Sequence, residues 1–135
     1  MLMGLYDGVL ILHNSFAGLT LLLALVAAVI LLATSRTTSR GASLALRVAL
    51  ISASLQFVFG LVLVVLGLVG GNAAGVAALW LHYLLGIISV GVLSAVAARG
   101  RRAPDTQARQ YGLRLLGVVL LVLMTFLVGQ YRYQP

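Results

Sequence analysis

Two histidines, His13 and His82, are the only residues of their kind in the chain, and each sits inside a long apolar run. His13 lies in "LILHNSFAGLTLL" (Leu10 to Leu22) and His82 in "AALWLHYLLGIISVG". An ionisable side chain within an apolar segment is expensive to bury and marks a functional site by default. An imidazole there can ligate a metal, pass a proton or hydrogen-bond a neighbouring helix. The remaining composition narrows these options. The chain has no cysteine and no glutamate, which removes disulfides, thiolate ligands, iron–sulfur clusters and covalent c-type haem attachment. Two neutral nitrogens without an intramembrane carboxylate also fall short of the three or four protein ligands that zinc takes.

The elements that must position these imidazoles follow from hydropathy. Of the 135 residues, 62% are hydrophobic and 8% charged, with a mean hydropathy of +1.15. A chain this apolar cannot hide its hydrophobic side chains in a core and still cover itself with polar ones. A bilayer core needs roughly 20 apolar residues per helical span, and four runs supply them: Gly8 to Ala33, Leu44 to Val69, Ala73 to Ala98 and Tyr111 to Gln130. The leader MLMGLYDG has no basic n-region, so the first run reads as a retained span, with Asp7 as its expected N-cap. The fold expected is an all-α membrane protein, one transmembrane domain over residues 1–135 forming an antiparallel four-helix bundle.

Charge orients the bundle. All nine basic residues are arginines, and eight flank two loops: Arg36, Arg40 and Arg47, then Arg99, Arg101, Arg102, Arg109 and Arg114. The positive-inside rule places those loops in the cytoplasm, and both termini with the Gly70-Gly71-Asn72 turn outside. The expected location is therefore a bacterial inner membrane with both termini outside. The net charge of +7 is spread beside spans and forms no domain able to grip nucleic acid. It suits anionic lipid headgroups instead.

In an up-down-up-down bundle the first and third spans run parallel and can stand diagonally across the core. His13 and His82 then face one another at similar depth, an arrangement suited to axial ligation of one haem. His13, Ala17, Thr20, Ala24 and Ala27 share one stripe of the first span, and His82, Gly86, Ser89 and Leu93 one stripe of the third. Gly18, Gly60 and Gly86 are candidates for admitting a flat porphyrin, Gly60 following Ser52 and Gln56 on one face of the second span. The same small residues also serve plain helix packing in lipid. Arg132, with Tyr131 and Tyr133 beside it as interfacial anchors, is the one basic residue expected at the histidine end, placed either to pair with a haem propionate or to anchor the tail. Gln56, Thr20 and Ser89 either polarise a quinone carbonyl or bond across helices.

Four spans with Leu12-His13 on the first and Leu81-His82 on the third resemble the small bacterial membrane b-type cytochromes and, distantly, one half of the haem A synthase fold. The likeness covers almost the whole chain in topology and rests on those two dipeptides. It implies one haem b held by His13 and His82, one-electron transfer, and a quinol or redox subunit as partner. Haem A synthases carry paired histidines on the second and fourth spans of each half, so that enzyme activity does not transfer. The competing expectation is a cofactor-free structural or assembly subunit of a larger complex, or a homo-oligomer. The fourth span, "LRLLGVVLLVLMTFLVG", fits it, since Thr125 alone breaks its apolar course after Arg114.

Overall fold

A computed structural model describes residues 2–132; Met1, Tyr133, Gln134 and Pro135, and the side chains of Leu2 and Arg132, lie outside the described residues. The chain forms α1 (Leu2–Thr34), α2 (Arg40–Val69), α3 (Ala73–Ala78), α4 (Trp80–Gly100), a 3₁₀ turn (Asp105–Gln107) and α5 (Ala108–Arg132). Four of these helices are long and apolar enough to cross a membrane. No proline interrupts them; Pro104 stands just ahead of the 3₁₀ turn, where its missing N–H and fixed φ suit a helix start.

Two details depart from the sequence expectation. Helix α1 begins at Leu2, so the exposed Asp7 lies within it and does not cap it. The third span is divided at Leu79 into the short α3 and the longer α4. Asn72 caps α3 by accepting the Gly75 N–H at 3.0 Å, and Gly71 supplies the left-handed φ of +80° that reverses the chain after α2. Gly67 is buried there, because a Cβ on it would meet Val76 Cγ2 at 2.7 Å.

Helix α1 packs along α2 and α5, α4 packs on α5, and α2 touches α4 only slightly. Around the bundle the order is therefore α1, α2, α4, α5, with α1 and α4 on one diagonal. Packing is uneven along the axis. Buried apolar residues, among them Ala28, Leu31, Leu46, Leu93, Leu115 and Val118, gather in the half that carries the α1–α2 and α4–α5 loops. Backbones approach closely there: a Cβ at Gly112 of α5 would meet Leu32 Cγ at 2.8 Å and the Ala28 carbonyl at 3.2 Å. Such close approach replaces the hydrophobic drive that lipid removes from helix association. The two loops are clasped by Asp105, whose Oδ1 accepts from the Thr37 N–H at 2.7 Å and the Thr37 hydroxyl at 2.8 Å. The Thr38 N–H adds a longer bond at 3.3 Å. The Thr37 hydroxyl, with the backbone and side chain of Thr38, holds the Asp105 carboxyl below the usual aspartate range.

Two buried hydroxyl pairs bound this packed half. Thr20 Oγ1 donates to Ser52 Oγ at 2.9 Å, and Ser52 Oγ to the Phe16 carbonyl at 2.8 Å. Ser89 Oγ and Thr125 Oγ1 lie 3.0 Å apart, and Thr125 Oγ1 donates to the Leu121 carbonyl at 2.9 Å. Beyond this layer, in the half that holds the N-terminus and the Gly70-Gly71-Asn72 turn, Ala17, Ala53 and Gly67 are the buried residues among the described residues. Leucine, isoleucine and valine side chains cover the outside of the bundle, including Ile11, Leu22, Ile51, Leu61, Ile87 and Leu120. This apolar exterior fits a lipid bilayer.

Candidate two-histidine site

His13 projects from α1 and His82 from α4, and the two half-buried rings meet in the half of the bundle that holds the N-terminus. Their centroids are 6.0 Å apart and their planes inclined by 68°. The diagonal placement of α1 and α4 brings them together, and the stripe below each is buried as its spacing demands: Ala17, Thr20, Ala24 and Ala27 on α1, Ser89 and Leu93 on α4.

Each ring is fixed by a main-chain acceptor on the neighbouring helix. His13 Nδ1 lies 2.8 Å from the Gln56 carbonyl on α2, and His82 Nδ1 lies 2.9 Å from the Thr125 carbonyl on α5. A carbonyl oxygen only accepts, so each Nδ1 carries a proton, and it is Nε2 that is left for any other partner. Among the described residues no hydrogen bond engages either Nε2. The Nδ1 edges rest against glycine. A Cβ at Gly60 would meet His13 Cε1 at 3.1 Å, and one at Gly129 would meet His82 Nδ1 at 2.7 Å and Cε1 at 2.8 Å.

The remaining expected site residues sort themselves by contact. Gly60 touches the His13 ring. The exposed Gly18 and half-buried Gly86 have open space where a Cβ would stand, with no atom within 4 Å, and neither meets an imidazole. Thr20 and Ser89 bond across helices to Ser52 and Thr125. Gln56 contributes its main-chain carbonyl. The side chain of Arg132 lies outside the described residues.

Sequence reasoning missed Gly129 and the carbonyl of Thr125. Their signal was present: Phe126-Leu127-Val128-Gly129 repeats the Phe57-Val58-Phe59-Gly60 pattern, and each accepting carbonyl follows its histidine by 43 residues.

Among the described residues no three His, Cys, Asp or Glu side chains converge, so this chain alone does not encircle a bare metal ion. Chemically, the site offers two half-buried imidazoles 6.0 Å apart, each with Nδ1 engaged by a carbonyl and Nε2 outside those bonds. No family model, curated protein or solved structure matches the chain.

Proposed function

We propose that the protein is a membrane b-type cytochrome-like electron carrier in which His13 and His82 hold the iron of one haem b. The observation that carries this reading is the pair of imidazoles 6.0 Å apart, each tied through Nδ1 to a carbonyl. His13 and His82 would be the residues to hold the iron, each through the ring nitrogen that its carbonyl bond leaves unused. Donation of the other ring N–H to a main-chain carbonyl is the usual support for a metal-bound histidine, since it sets the tautomer and raises ligand basicity. Two donors are sufficient when the metal brings four nitrogens of its own. Beyond the hydroxyl layer the buried residues among the described ones are small, Ala17, Ala53 and Gly67.

Haem so held supplies one-electron chemistry. With both His13 and His82 holding it, such a haem would favour electron transfer over binding of oxygen or another substrate. A quinol in the bilayer or a redox subunit is the partner class that fits a carrier embedded among apolar helices. The arginine asymmetry orients the histidine end, and both termini, toward the outside of a bacterial inner membrane. There Arg132 would stand ready to pair with a propionate.

The test is a reduced-minus-oxidised visible spectrum of the purified protein after growth with haem precursor. Sharp α and Soret bands are expected, with His13→Ala or His82→Ala removing or converting the low-spin spectrum while the protein stays folded and inserted. A colourless preparation, or single variants with the parent spectrum, would overturn the proposal. The second reading, a cofactor-free scaffold, draws on the same two histidine–carbonyl bonds, which join α1 to α2 and α4 to α5 as packing contacts alone would.

A further inference from the structure

The two histidines are seated by one device used twice. In an α-helix the carbonyl of residue i accepts the N–H of residue i+4 and lies beneath the side chain of that residue. An imidazole on another helix reaches that carbonyl only if nothing projects from position i+4. His13 reaches the Gln56 carbonyl and touches Gly60, four residues on; His82 reaches the Thr125 carbonyl and touches Gly129, four residues on. Each carbonyl thus takes two donors, its own helix N–H and an imidazole Nδ1–H.

The recurrence extends through the whole hairpin. Advancing the numbering by 69 carries Leu12-His13 onto Leu81-His82, Thr20 onto Ser89, Phe57 onto Phe126 and Gly60 onto Gly129. The same step carries buried residues onto buried residues, Ala28 onto Ala97, Leu46 onto Leu115 and Ala53 onto Val122. The hydroxyl partners do not follow the same step, since Ser52 falls onto Leu121 and Thr125 onto Gln56, yet Thr20 and Ser89 each bond to a hydroxyl on the second helix of their own hairpin. The correspondence is not perfect: α1 is continuous where α3 and α4 are divided, and α2 meets α4 far less than α1 meets α5.

We propose that the chain is two copies of one helical hairpin paired about an approximate two-fold axis, and that Gly60 and Gly129 are positioning residues that open the Gln56 and Thr125 carbonyls to the imidazoles. Both rings are thereby locked as Nδ1–H tautomers with Nε2 free. A site built this way presents two equivalent nitrogen donors to opposite faces of one ligand. The chemical class it would take is a flat metal complex that the two imidazoles would hold together. That last step rests on the haem reading above; the positioning of the rings does not.

The experiment uses the full-length protein in detergent with ¹⁵N-labelled histidine and no added haem, followed by titration with haem. In the parent, ring ¹⁵N shifts should show a protonated Nδ1 and an unprotonated Nε2 at both histidines. Gly129→Ala, whose Cβ would fall 2.7 Å from His82 Nδ1, should convert His82 alone to a mixture of tautomers. Gly60→Ala, with a 3.1 Å contact to Cε1, should perturb His13 alone and less. Gly18→Ala and Gly86→Ala, where a Cβ meets nothing within 4 Å, should leave both rings as in the parent. Loss of the supporting hydrogen bond should weaken haem binding by about 10–100-fold in Gly129→Ala, with little change in the two controls.

An Nε2–H tautomer at either parent histidine would overturn the positioning claim without recourse to any variant. An unaltered His82 in folded Gly129→Ala, or an equal disturbance from Gly86→Ala, would overturn it as well. Correct tautomers in a parent that takes up no haem would support the positioning and overturn the ligand class alone.

Discussion

Leu115 tests how far the packed half of the bundle behaves as a core. It and Leu93 are the largest fully buried apolar side chains, each 1% exposed. In a water-soluble protein, Leu→Ala at such a site costs about 2.7–5.0 kcal/mol, part transfer and part cavity. Three lost carbons at about 0.8 kcal/mol each account for roughly 2.4 kcal/mol of transfer. In a bilayer the separated helices remain among lipid tails as apolar as leucine, so the transfer part nearly cancels. What remains is the cavity and its lost contacts, roughly 0.5–2.5 kcal/mol. Leu115→Ala should therefore lower stability by that amount in a dodecyl sulfate titration from mixed micelles followed by far-UV circular dichroism. Leu113→Ala, at a position 57% exposed, should stay within about 0.5 kcal/mol of the parent. A cost of 4–5 kcal/mol for Leu115→Ala would show that transfer from water still operates. Equal costs at 113 and 115 would refute the assignment of the buried face.

Replacing Ser52 by Ala should cost only about 0.6 kcal/mol, because the Thr20 hydroxyl, released from Ser52, can turn its one proton to the Phe16 carbonyl 2.8 Å away; a much larger loss in the same titration would mean that the hydroxyl layer is not redundant. The Asp105 carboxyl is held below its ordinary value, so its clasp contributes fully above the unfolded aspartate value and is lost as pH falls through the folded one. Acid titration of stability should show this component in the parent and lack it in Asp105→Asn, and identical acid profiles would exclude it. For Arg132, a positive charge near a propionate disfavours oxidised haem, so Arg132→Gln should lower the midpoint potential, with a larger shift at low ionic strength; an unchanged potential across ionic strengths would leave Arg132 as an anchor of the tail. A tag placed after Pro135 should be digested by protease added to spheroplasts, and its protection would reverse the orientation read from the arginines.

The spans, the diagonal and the depth of the histidines were legible because each depends on a period or a charge count. Ala17, Thr20, Ala24 and Ala27 fall on one helical face, and loops as short as residues 70–72 oblige neighbouring spans to run antiparallel. The break at Leu79 was not legible, since "AAGVAALWLHYLL" contains no proline and its apolar course is unbroken. Nor was the start of α1 at Leu2, because hydropathy marks where a helix enters lipid and not where its hydrogen bonds begin. Gly60 was singled out for the space it would leave a porphyrin, yet what occupies that space is the His13 ring. The partner of each imidazole was hidden for a simpler reason. A main-chain carbonyl belongs to every residue, and only the missing side chain four residues later shows that it is accessible.

The contrast between the two halves of the bundle bears on why a glycine–carbonyl seat would be needed at all. Near the loops, side chains such as Leu93, Leu115 and Val118 interlock, and packing alone fixes each helix against the next. Beyond Thr20–Ser52 and Ser89–Thr125 that constraint fades. A ring placed there by rotamer preference alone would swing about χ1 and χ2 and offer its two nitrogens indifferently. A hydrogen bond from Nδ1 to a helix carbonyl restores direction without filling the interior, because the acceptor lies at the backbone and the glycine adds no volume. Two donors fixed in this way would stay aimed without side-chain packing around them, which is the preorganisation a bound metal would require of its ligands.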